Sequence, residues 1–263
     1  MTLGIMSFGM PTLIETSTLD ECAKLCAELG LDFIELNMNL PQYQLDKIDV
    51  EYFKSIAEKY GIWYTIHLDE NLNVCDFNPY VAEAYIKTVA DTIEIAKQLD
   101  IKVLNMHMAK GVYFTLPERK VLLFSEYKER YPKSIVDFRN MCENVIGDAD
   151  IKICIENCDG YEGFQKEAIE LLLESKVFAL TFDVGHNYGI GGTDEDFIMK
   201  HKARLHHIHL HDAMGRKNHL ALGTGEMDVE NYLSLAKEQN CCVVLETKTI
   251  EGLKQSVEWL KGC

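Results

Sequence analysis

The chain has 263 residues, of which 47% are hydrophobic and 26% are charged, a composition typical of a globular protein with a sizeable core. The net charge of -16 argues against a general nucleic-acid-binding protein, because neutralising phosphates requires clustered lysines and arginines. No apolar run approaches the ~20 residues that cross a bilayer, and the first residues do not resemble a signal peptide. We therefore expect a cytoplasmic protein without a membrane segment, whose cysteines are mostly reduced and buried.

Eight short apolar segments alternate with longer segments of helical period along the chain. The predicted strands are 3–8, 32–37, 62–68, 102–108, 152–157, 179–184, 206–211 and 242–247. Segments that are apolar on both faces suit parallel strands covered by helices, and eight strand–helix units in ~250 residues are what a (β/α)8 barrel requires. An open doubly wound sheet is the alternative, but SFGMPTL after the first strand lacks the G-x-G-x-x-G pattern. The sequence predicts an α/β protein, a single (β/α)8 TIM-barrel domain over residues 1–263.

Two predicted helices have clear ends. Thr18 and Glu21 fit a capping box, and Gly30 fits the C-terminal end of the same helix. Asn78–Pro79 opens a long helix, because proline is favoured in the first helical turn. These signals support the alternation of strands and helices.

One predicted connection is unusually long. Residues 109–132 lie between the fourth strand and its helix, and loops longer than about 12–15 residues are usually functional when ordered. This insertion lies on the C-terminal side of the predicted barrel. We expect either an exposed amphipathic helix on the rim or a lid over the substrate that uses Tyr113 and Phe114.

Acidic and imidazole side chains recur at the C-terminal ends of nearly all the predicted strands. They are Glu35, His67, His107, Glu156, Asp183, His186, His209, His211, Asp212 and Glu246. In a barrel these ends converge on one mouth, and such groups facing an apolar interior are costly unless they are paired or bind a metal. A shared divalent cation explains the recurrence. Glu156 and Glu246 are the strongest candidates because each ends a strongly apolar strand, whereas His67 and His107 are either ligands or substrate contacts.

The segment HHIHLH (206–211) holds the densest group of histidines. By the alternation of side chains along a strand, His207, His209 and His211 share one face, and His206 faces the helices. Periodicity favours the odd-numbered set but does not choose within it.

Four strings together resemble a known superfamily. FDVGHNYG (182–189), HLHD (209–212), HLALGTGEMD (219–228) and LET (245–247) are similar to the xylose isomerase-like TIM barrels. That group covers sugar and sugar-phosphate isomerases and epimerases, and endonuclease IV. The resemblance spans essentially the whole chain. It implies that Glu156, Asp183, His209 and Glu246 hold one divalent cation and that His186 contacts substrate, as in the ketose 3-epimerases.

The same resemblance raises an endonuclease IV-like zinc phosphodiesterase acting on abasic DNA as an alternative. The ligands of its three zinc ions match His67, His107, Glu156, Asp183, His186, His209, His219 and Glu246. Its third zinc also needs an aspartate two residues before the counterpart of His219, and that position here is Lys217. This departure and the acidic net charge favour sugar chemistry and make nucleic acid an unexpected partner.

We therefore expect a metal-dependent sugar or sugar-phosphate isomerase or epimerase that transfers protons through an enediolate. Glu156 and Glu246 are the expected catalytic acid and base. The expected substrate contacts are His67, His107, His186, His219, Glu35, Arg216 and Lys217. The GTG segment at 223–225 either approaches a phosphate through its backbone amides or forms a tight turn.

The expected cofactor is one divalent cation. An oxygen-rich site with one imidazole suits Mn²⁺, Mg²⁺ or Co²⁺, and adding His67 and His107 would favour Zn²⁺. A dehydratase of a cyclic keto acid on the same scaffold and a non-enzymatic sugar-binding module are further alternatives. The frequent association of family members favours a homodimer.

Overall fold

A computed structural model describes residues 6–262, and eight parallel strands in this range close into a barrel. The barrel strands are β1 (Phe8–Pro11), β2 (Phe33–Asn37), β3 (Trp63–His67), β4 (Val103–His107), β7 (Lys152–Glu156), β8 (Phe178–Asp183), β9 (Leu205–Leu210) and β12 (Cys242–Leu245). Two separate hairpins are formed by β5 (Tyr113–Thr115) with β6 (Lys120–Leu122) and by β10 (Asp212–Met214) with β11 (Lys217–Leu220). The barrel order is β1-β12-β9-β8-β7-β4-β3-β2. The predicted (β/α)8 fold is confirmed.

Helices lie in the connections between the strands and after the last strand. They are α1 (Leu19–Leu29), α2 (Val50–Tyr60), α3 (Pro79–Gln98), α4 (Leu123–Glu126), α5 (Arg130–Ile146), α6 (Gly163–Leu173), α7 (Val184–Gly189), α8 (Glu195–Lys200), α9 (Val229–Gln239) and α10 (Ile250–Gly262). Within residues 6–262, no helix combines the length and the apolar character needed to span a membrane.

The predicted first strand is wrong in position. Strand β1 begins at Phe8, whereas the prediction ended there, and residues 3–5 lie outside the described part of the chain. Pro11, which has no backbone N–H, is the last residue of the strand. The other seven barrel strands lie within two residues of their predicted bounds.

The predicted helix ends are largely observed. The Oγ1 atom of Thr18 accepts a hydrogen bond from the amide of Glu21, and Gly30 has the left-handed φ of 73° expected at a helix C-terminus. The Glu21 carboxylate accepts from the amide of Ser17 instead of Thr18, so only half of the capping box forms. The side chain of Asn78 caps the 20-residue helix α3.

The insertion at 109–132 does not form an amphipathic helix on the rim. It contains the antiparallel hairpin β5–β6 and the single-turn helix α4. The alternative of an amphipathic helix on the rim is therefore wrong. The amide of Leu116 bonds to the carbonyl of Arg119, with Pro117 at the second position of the turn, where its fixed φ is favourable. Tyr113 and Phe114 are about half exposed on the hairpin, and their role in a lid stays a prediction.

The barrel interior is layered because side chains alternate along each strand. Near the N-terminal ends of the strands, the rings of Phe33 and Trp63 stack with centroids 4.2 Å apart, and Val103, Cys154 and Ala179 form an apolar cluster. We call these five residues the lower layer. Buried polar side chains lie above it, and the chemistry-bearing side chains lie at the C-terminal mouth.

Strand register brings polar residues of different strands to the same level of the mouth. His107 of β4 is the direct neighbour of Glu156 in β7, and Asp183 of β8 is the direct neighbour of His209 in β9. Glu246 follows the last residue of β12. These pairings position the site described next.

Candidate metal-binding active site

Glu156, Asp183, His209 and Glu246 converge in one buried pocket. Each offers an atom that lies within 4.8 Å of the other three, and none of the four residues is more than 5% exposed. The Nδ1 atom of His209 lies 3.1 Å from Oε1 of Glu156, 3.5 Å from Oε2 of Glu246 and 3.9 Å from Oδ2 of Asp183. The four predicted metal ligands are therefore close enough to contact one ion.

The chemistry of this pocket fits a divalent cation. Three buried carboxylates around one imidazole are costly without a compensating charge. The Oε2 atom of Glu246 is buried and has no hydrogen-bond partner among residues 6–262. Three carboxylates and one imidazole are suitable ligands for Mn²⁺, Mg²⁺, Co²⁺ or Zn²⁺.

Glu156 is held from the side of β3 and β4. The side-chain amide of Asn105 donates to Oε2 of Glu156, and Nε2 of His107 lies 3.0 Å from the same oxygen. The Nε2 atom of His67 lies 3.4 Å from it. His67, His107 and Glu156 thus form a second group of possible ligands that shares Glu156 with the first. The sequence did not identify Asn105, because an inward-facing asparagine two residues before a strand-end histidine carries no distinct signal.

Asp183 is held by two histidines. The Nε2 atom of His211 lies 3.1 and 3.2 Å from the two carboxylate oxygens of Asp183, and the backbone amide of His186 donates to Oδ1. The Nδ1 atom of His211 accepts from the backbone amide of His219. Both ring nitrogens of His211 are therefore engaged, and His211 supports Asp183.

His186 and His219 face each other beside this pocket. Their Nε2 atoms are 3.2 Å apart, and Nδ1 of His219 lies 2.9 Å from the carbonyl oxygen of Glu246. Burial, opposed by Glu246 and reinforced by His211, lowers the pKa of His219 to about 4, so this imidazole is neutral at pH 7. His219 also has a φ of 55°, an uncommon backbone conformation for a residue other than glycine.

Lys248 is a site residue that the sequence did not indicate. Its Nζ atom donates to Oε1 of Glu246 over 2.7 Å, and its side chain is about half exposed at the mouth. Lys248 is a loop lysine three positions after the end of β12, and in sequence it resembles an ordinary surface residue. The proximity of Lys248 to Glu246 is the only signal that could have identified it.

The charged side chains of the pocket shift one another's pKa values. Burial alone would raise the pKa of Glu156 and Glu246, but His209 holds both pKa values well below the usual range, with help from His107 and Lys248. Burial opposes the charging of His209, yet Glu156 and the other carboxylates raise its pKa well above the ordinary value. Against burial, Glu156 also raises the pKa of His67 to about 8.

Glu35 lies below the mouth and is 1% exposed. Its carboxylate oxygens face His207, His209 and Thr65 in the barrel interior. These oxygens face inward and are surrounded by protein, and contact between Glu35 and substrate stays a prediction. His207 is fully buried in the same layer, and His206 is exposed towards the outside, as the alternation predicted.

Arg216 and Lys217 lie on the exposed turn and second strand of the hairpin β10–β11. Arg216 lines an open surface groove with Tyr188 and Tyr232. A separate cavity of about 270 Å³ opens beside His107 and Glu156; its other lining residues include Lys110, Asp159 and Tyr161. Contact between substrate and Arg216 or Lys217 stays a prediction.

The GTG segment forms a tight turn around a buried carboxylate. The amides of Gly223 and Gly225 donate to Oδ2 of Asp212, and those of Ala213 and Met227 donate to Oδ1. These amides are therefore not available to a phosphate group, and the alternative of a phosphate contact at 223–225 is wrong.

Comparisons with known proteins agree with this architecture. A family model described as xylose isomerase-like TIM barrel matches residues 23–263. An uncharacterized protein of Methanocaldococcus jannaschii is 27% identical over 215 residues, which cover 78% of this chain and 79% of the relative.

The similarity to two solved structures extends over nearly the whole chain. A D-tagatose 3-epimerase-like protein is 25% identical, with a TM-score of 0.79, 98% of this chain and 96% of that chain covered. The IOLI protein, solved with a bound zinc atom, is 17% identical, with a TM-score of 0.74, 98% of this chain and 97% of that chain covered. The second likeness is one of fold alone.

Proposed function

Because the chain belongs to the xylose isomerase-like TIM barrel family, we propose that it is a metal-dependent isomerase or epimerase of a sugar or sugar phosphate. The observation that carries this proposal is the convergence of three carboxylates on Nδ1 of His209 in one buried pocket. A divalent cation held by these four residues would act as a Lewis acid towards the carbonyl and neighbouring hydroxyl oxygens of a hydroxyketone. The likeness to a D-tagatose 3-epimerase-like protein supports a ketose as the substrate class.

Glu156 and Glu246 are the proposed proton-transfer residues. They come from β7 and from the end of β12, which are separated in the barrel by β8 and β9, so they approach the pocket from different sides. Both carboxyl groups have strongly lowered pKa values, so both are ionised at pH 7 and able to accept a proton. Return of a proton to the opposite face of the same carbon gives an epimer, and return to the neighbouring carbon gives the isomer.

The oxygen atoms of these carboxylates differ in their surroundings. Oε1 of Glu246 is paired with Lys248, whereas Oε2 has no hydrogen-bond partner in the described chain. Oε2 of Glu156 is shared by Asn105 and His107. Glu246 therefore retains one oxygen that is free either to bind the cation or to take a proton.

The neighbouring imidazoles are the proposed substrate contacts. His186 and His219 present Nε2 atoms beside Asp183 and Glu246, and His107 lines the 270 Å³ cavity next to Glu156. A neutral His219 can donate or accept only one hydrogen bond through Nε2, which suits an uncharged hydroxyl.

The test is proton exchange at carbon. Purified protein is loaded with Mn²⁺ and incubated in D2O with ketohexoses and ketose phosphates, and NMR follows deuterium entry at the carbons adjacent to the carbonyl. We expect exchange with wild type, and a loss of about 10²–10⁴-fold in Glu156→Gln and in Glu246→Gln. Glu58→Gln, an exposed substitution on α2, is the matched control.

Two results would contradict the proposal. One is wild-type exchange in either of the two glutamine variants. The other is undiminished exchange after the metal has been removed with a chelator. Sugar affinity without any deuterium entry would instead favour a binding module, and net loss of water from a cyclic keto acid would favour a dehydratase.

One observation favours a second candidate, an endonuclease IV-like phosphodiesterase. His67, His107 and Glu156 offer ligand atoms within 4.8 Å of each other, next to the four-residue pocket, and Glu156 belongs to both groups. Lys217, where that enzyme needs an acidic ligand, lies exposed on β11. Nicking of duplex DNA at an abasic site, in proportion to bound zinc, would establish this activity over the sugar chemistry.

A further inference from the structure

The carboxylate of Glu35 is an enclosed charged group near the pocket that the proposed reaction does not use. It lies in the interior of the barrel, one layer below the mouth, and is 1% exposed. Oε2 of Glu35 accepts from Oγ1 of Thr65 over 3.1 Å and lies 2.9 Å from Nε2 of His207. Oε1 lies 2.8 Å from Nε2 of His209. This placement joins Glu35 directly to one proposed metal ligand.

His209 lies between carboxylates on both of its ring nitrogens. Nδ1 faces Glu156 and Glu246 at the mouth, and Nε2 faces Glu35 below. Nε2 has no well-aligned hydrogen-bond partner among the described residues, and Oε1 of Glu35 is the acceptor oxygen within reach. Glu35 is therefore the carboxylate in position to accept the N–H of Nε2.

The position of the ring proton decides whether His209 can bind an ion. A metal-bound imidazole is neutral and keeps one proton, so only the nitrogen that has lost its proton can coordinate the metal. Without Glu35, a proton on Nδ1 would be stabilised by Oε1 of Glu156, 3.1 Å away, and the binding nitrogen would be blocked. Glu35 provides a competing acceptor for the proton on Nε2, and this competition favours the metal-binding tautomer.

We propose that Glu35 is a positioning residue that retains the Nε2 proton of His209 and so presents the Nδ1 lone pair to the proposed metal pocket. This inference rests on the metal site of the proposed function and assigns to Glu35 no contact with substrate. Metal-bound histidines commonly donate their second N–H to a carboxylate, and loss of that partner typically weakens metal affinity by about 10–100-fold.

The test separates this role from a contribution to stability alone. Zinc affinity of the metal-free protein is measured by competition with a chromophoric chelator for wild type, Glu35→Gln and Thr65→Val. Glu35→Gln removes the charge facing His209, and we expect its Kd for zinc to rise about 10–100-fold. Thr65→Val removes a neighbour of Oε2 but leaves Oε1 facing His209, and we expect its Kd to stay within about threefold of wild type at a lowered melting temperature.

A second measurement needs no substitution of Glu35. The ¹⁵N shifts of the imidazoles in the zinc complex, assigned to His209 by comparison with His209→Asn, report which nitrogen carries the proton. We expect Nε2 to be protonated and Nδ1 to bind zinc. A proton on Nδ1, or a wild-type Kd in folded Glu35→Gln, would overturn the inference. Failure of wild type to bind any zinc would instead overturn the metal site on which the proposed function rests.

Discussion

Lys248 forms an ion pair with Oε1 of Glu246 over 2.7 Å, and this contact leaves Oε2 of Glu246 directed towards Nδ1 of His209, 3.5 Å away. One glutamate therefore links an exposed cation at the mouth to the buried centre of the pocket. In this ion pair Oε1 of Glu246 contacts Lys248, and Oε2 remains directed into the pocket.

The first prediction concerns Lys248→Met. Burial raises the pKa of Glu246, while His209 and then Lys248 lower it, so loss of the ammonium group should raise that pKa. Because Glu246 must be ionised to accept a proton, the acidic limb of kcat/KM against pH should move to higher pH in the manganese-loaded enzyme. Lys254→Met on the exposed face of α10 is the control. An acidic limb at the wild-type position would contradict this prediction.

The second prediction is that metal binding releases a proton. The raised pKa of His209 means that this imidazole is charged at pH 7 in the metal-free protein, whereas a ligand must be neutral. Zinc binding at pH 7 should therefore expel about one proton from His209, and affinity should fall as pH falls. Calorimetry in buffers of different ionisation enthalpy measures the release. Equal heats in all buffers would disprove the proton release. The control is His206→Gln, an exposed substitution that should behave as wild type.

The third prediction is that the ion stabilises the fold. The carboxylates of Glu156, Asp183 and Glu246 are brought together in a buried pocket, and a bound dication offsets their mutual repulsion. Manganese at 100 times its Kd should add about 2.7 kcal/mol to the free energy of unfolding, by mass action. Calorimetric scans before and after chelation test this value. A melting temperature that does not change on chelation would argue that no ion binds the native state.

The fourth prediction concerns Gly185→Ala. A Cβ atom at position 185 would overlap the ring of His211, which is fully buried and holds both oxygens of Asp183. The ring has no free space, so we expect weaker zinc affinity together with a loss of stability of about 1–3 kcal/mol. Gly163→Ala near the start of α6 meets no atom within 4 Å and is the control, measured by urea unfolding and zinc titration. Wild-type zinc affinity in Gly185→Ala would show that His211 does not position Asp183.

Much of the fold could be predicted because each barrel strand is a short apolar run with polar residues at one end. Strand β7 illustrates this: after Lys152, the residues ICI are apolar up to Glu156, so both the strand and its polar end are evident. The hairpin β5–β6 was missed because its strands have only three residues each and its mixed charged and apolar side chains also fit an exposed helix.

The convergence of the candidate ligands also followed from the sequence, since barrel closure brings all strand ends to one mouth. The contacts that hold those ligands in place did not follow from the sequence. That Asn105 bonds to Glu156, or that Glu35 faces His209, depends on the register between strands far apart in the chain. The sequence therefore predicted which residues meet, and only the structure gave the support behind each of them.

The lower layer closes the barrel beneath the pocket, with Phe33 and Trp63 stacked and His207 fully buried above them. Within residues 6–262, the C-terminal mouth is then the side from which a small molecule would reach the proposed ion. A sugar bound in the mouth should block the exit of the proposed ion, so the ion should dissociate more slowly while the sugar is bound.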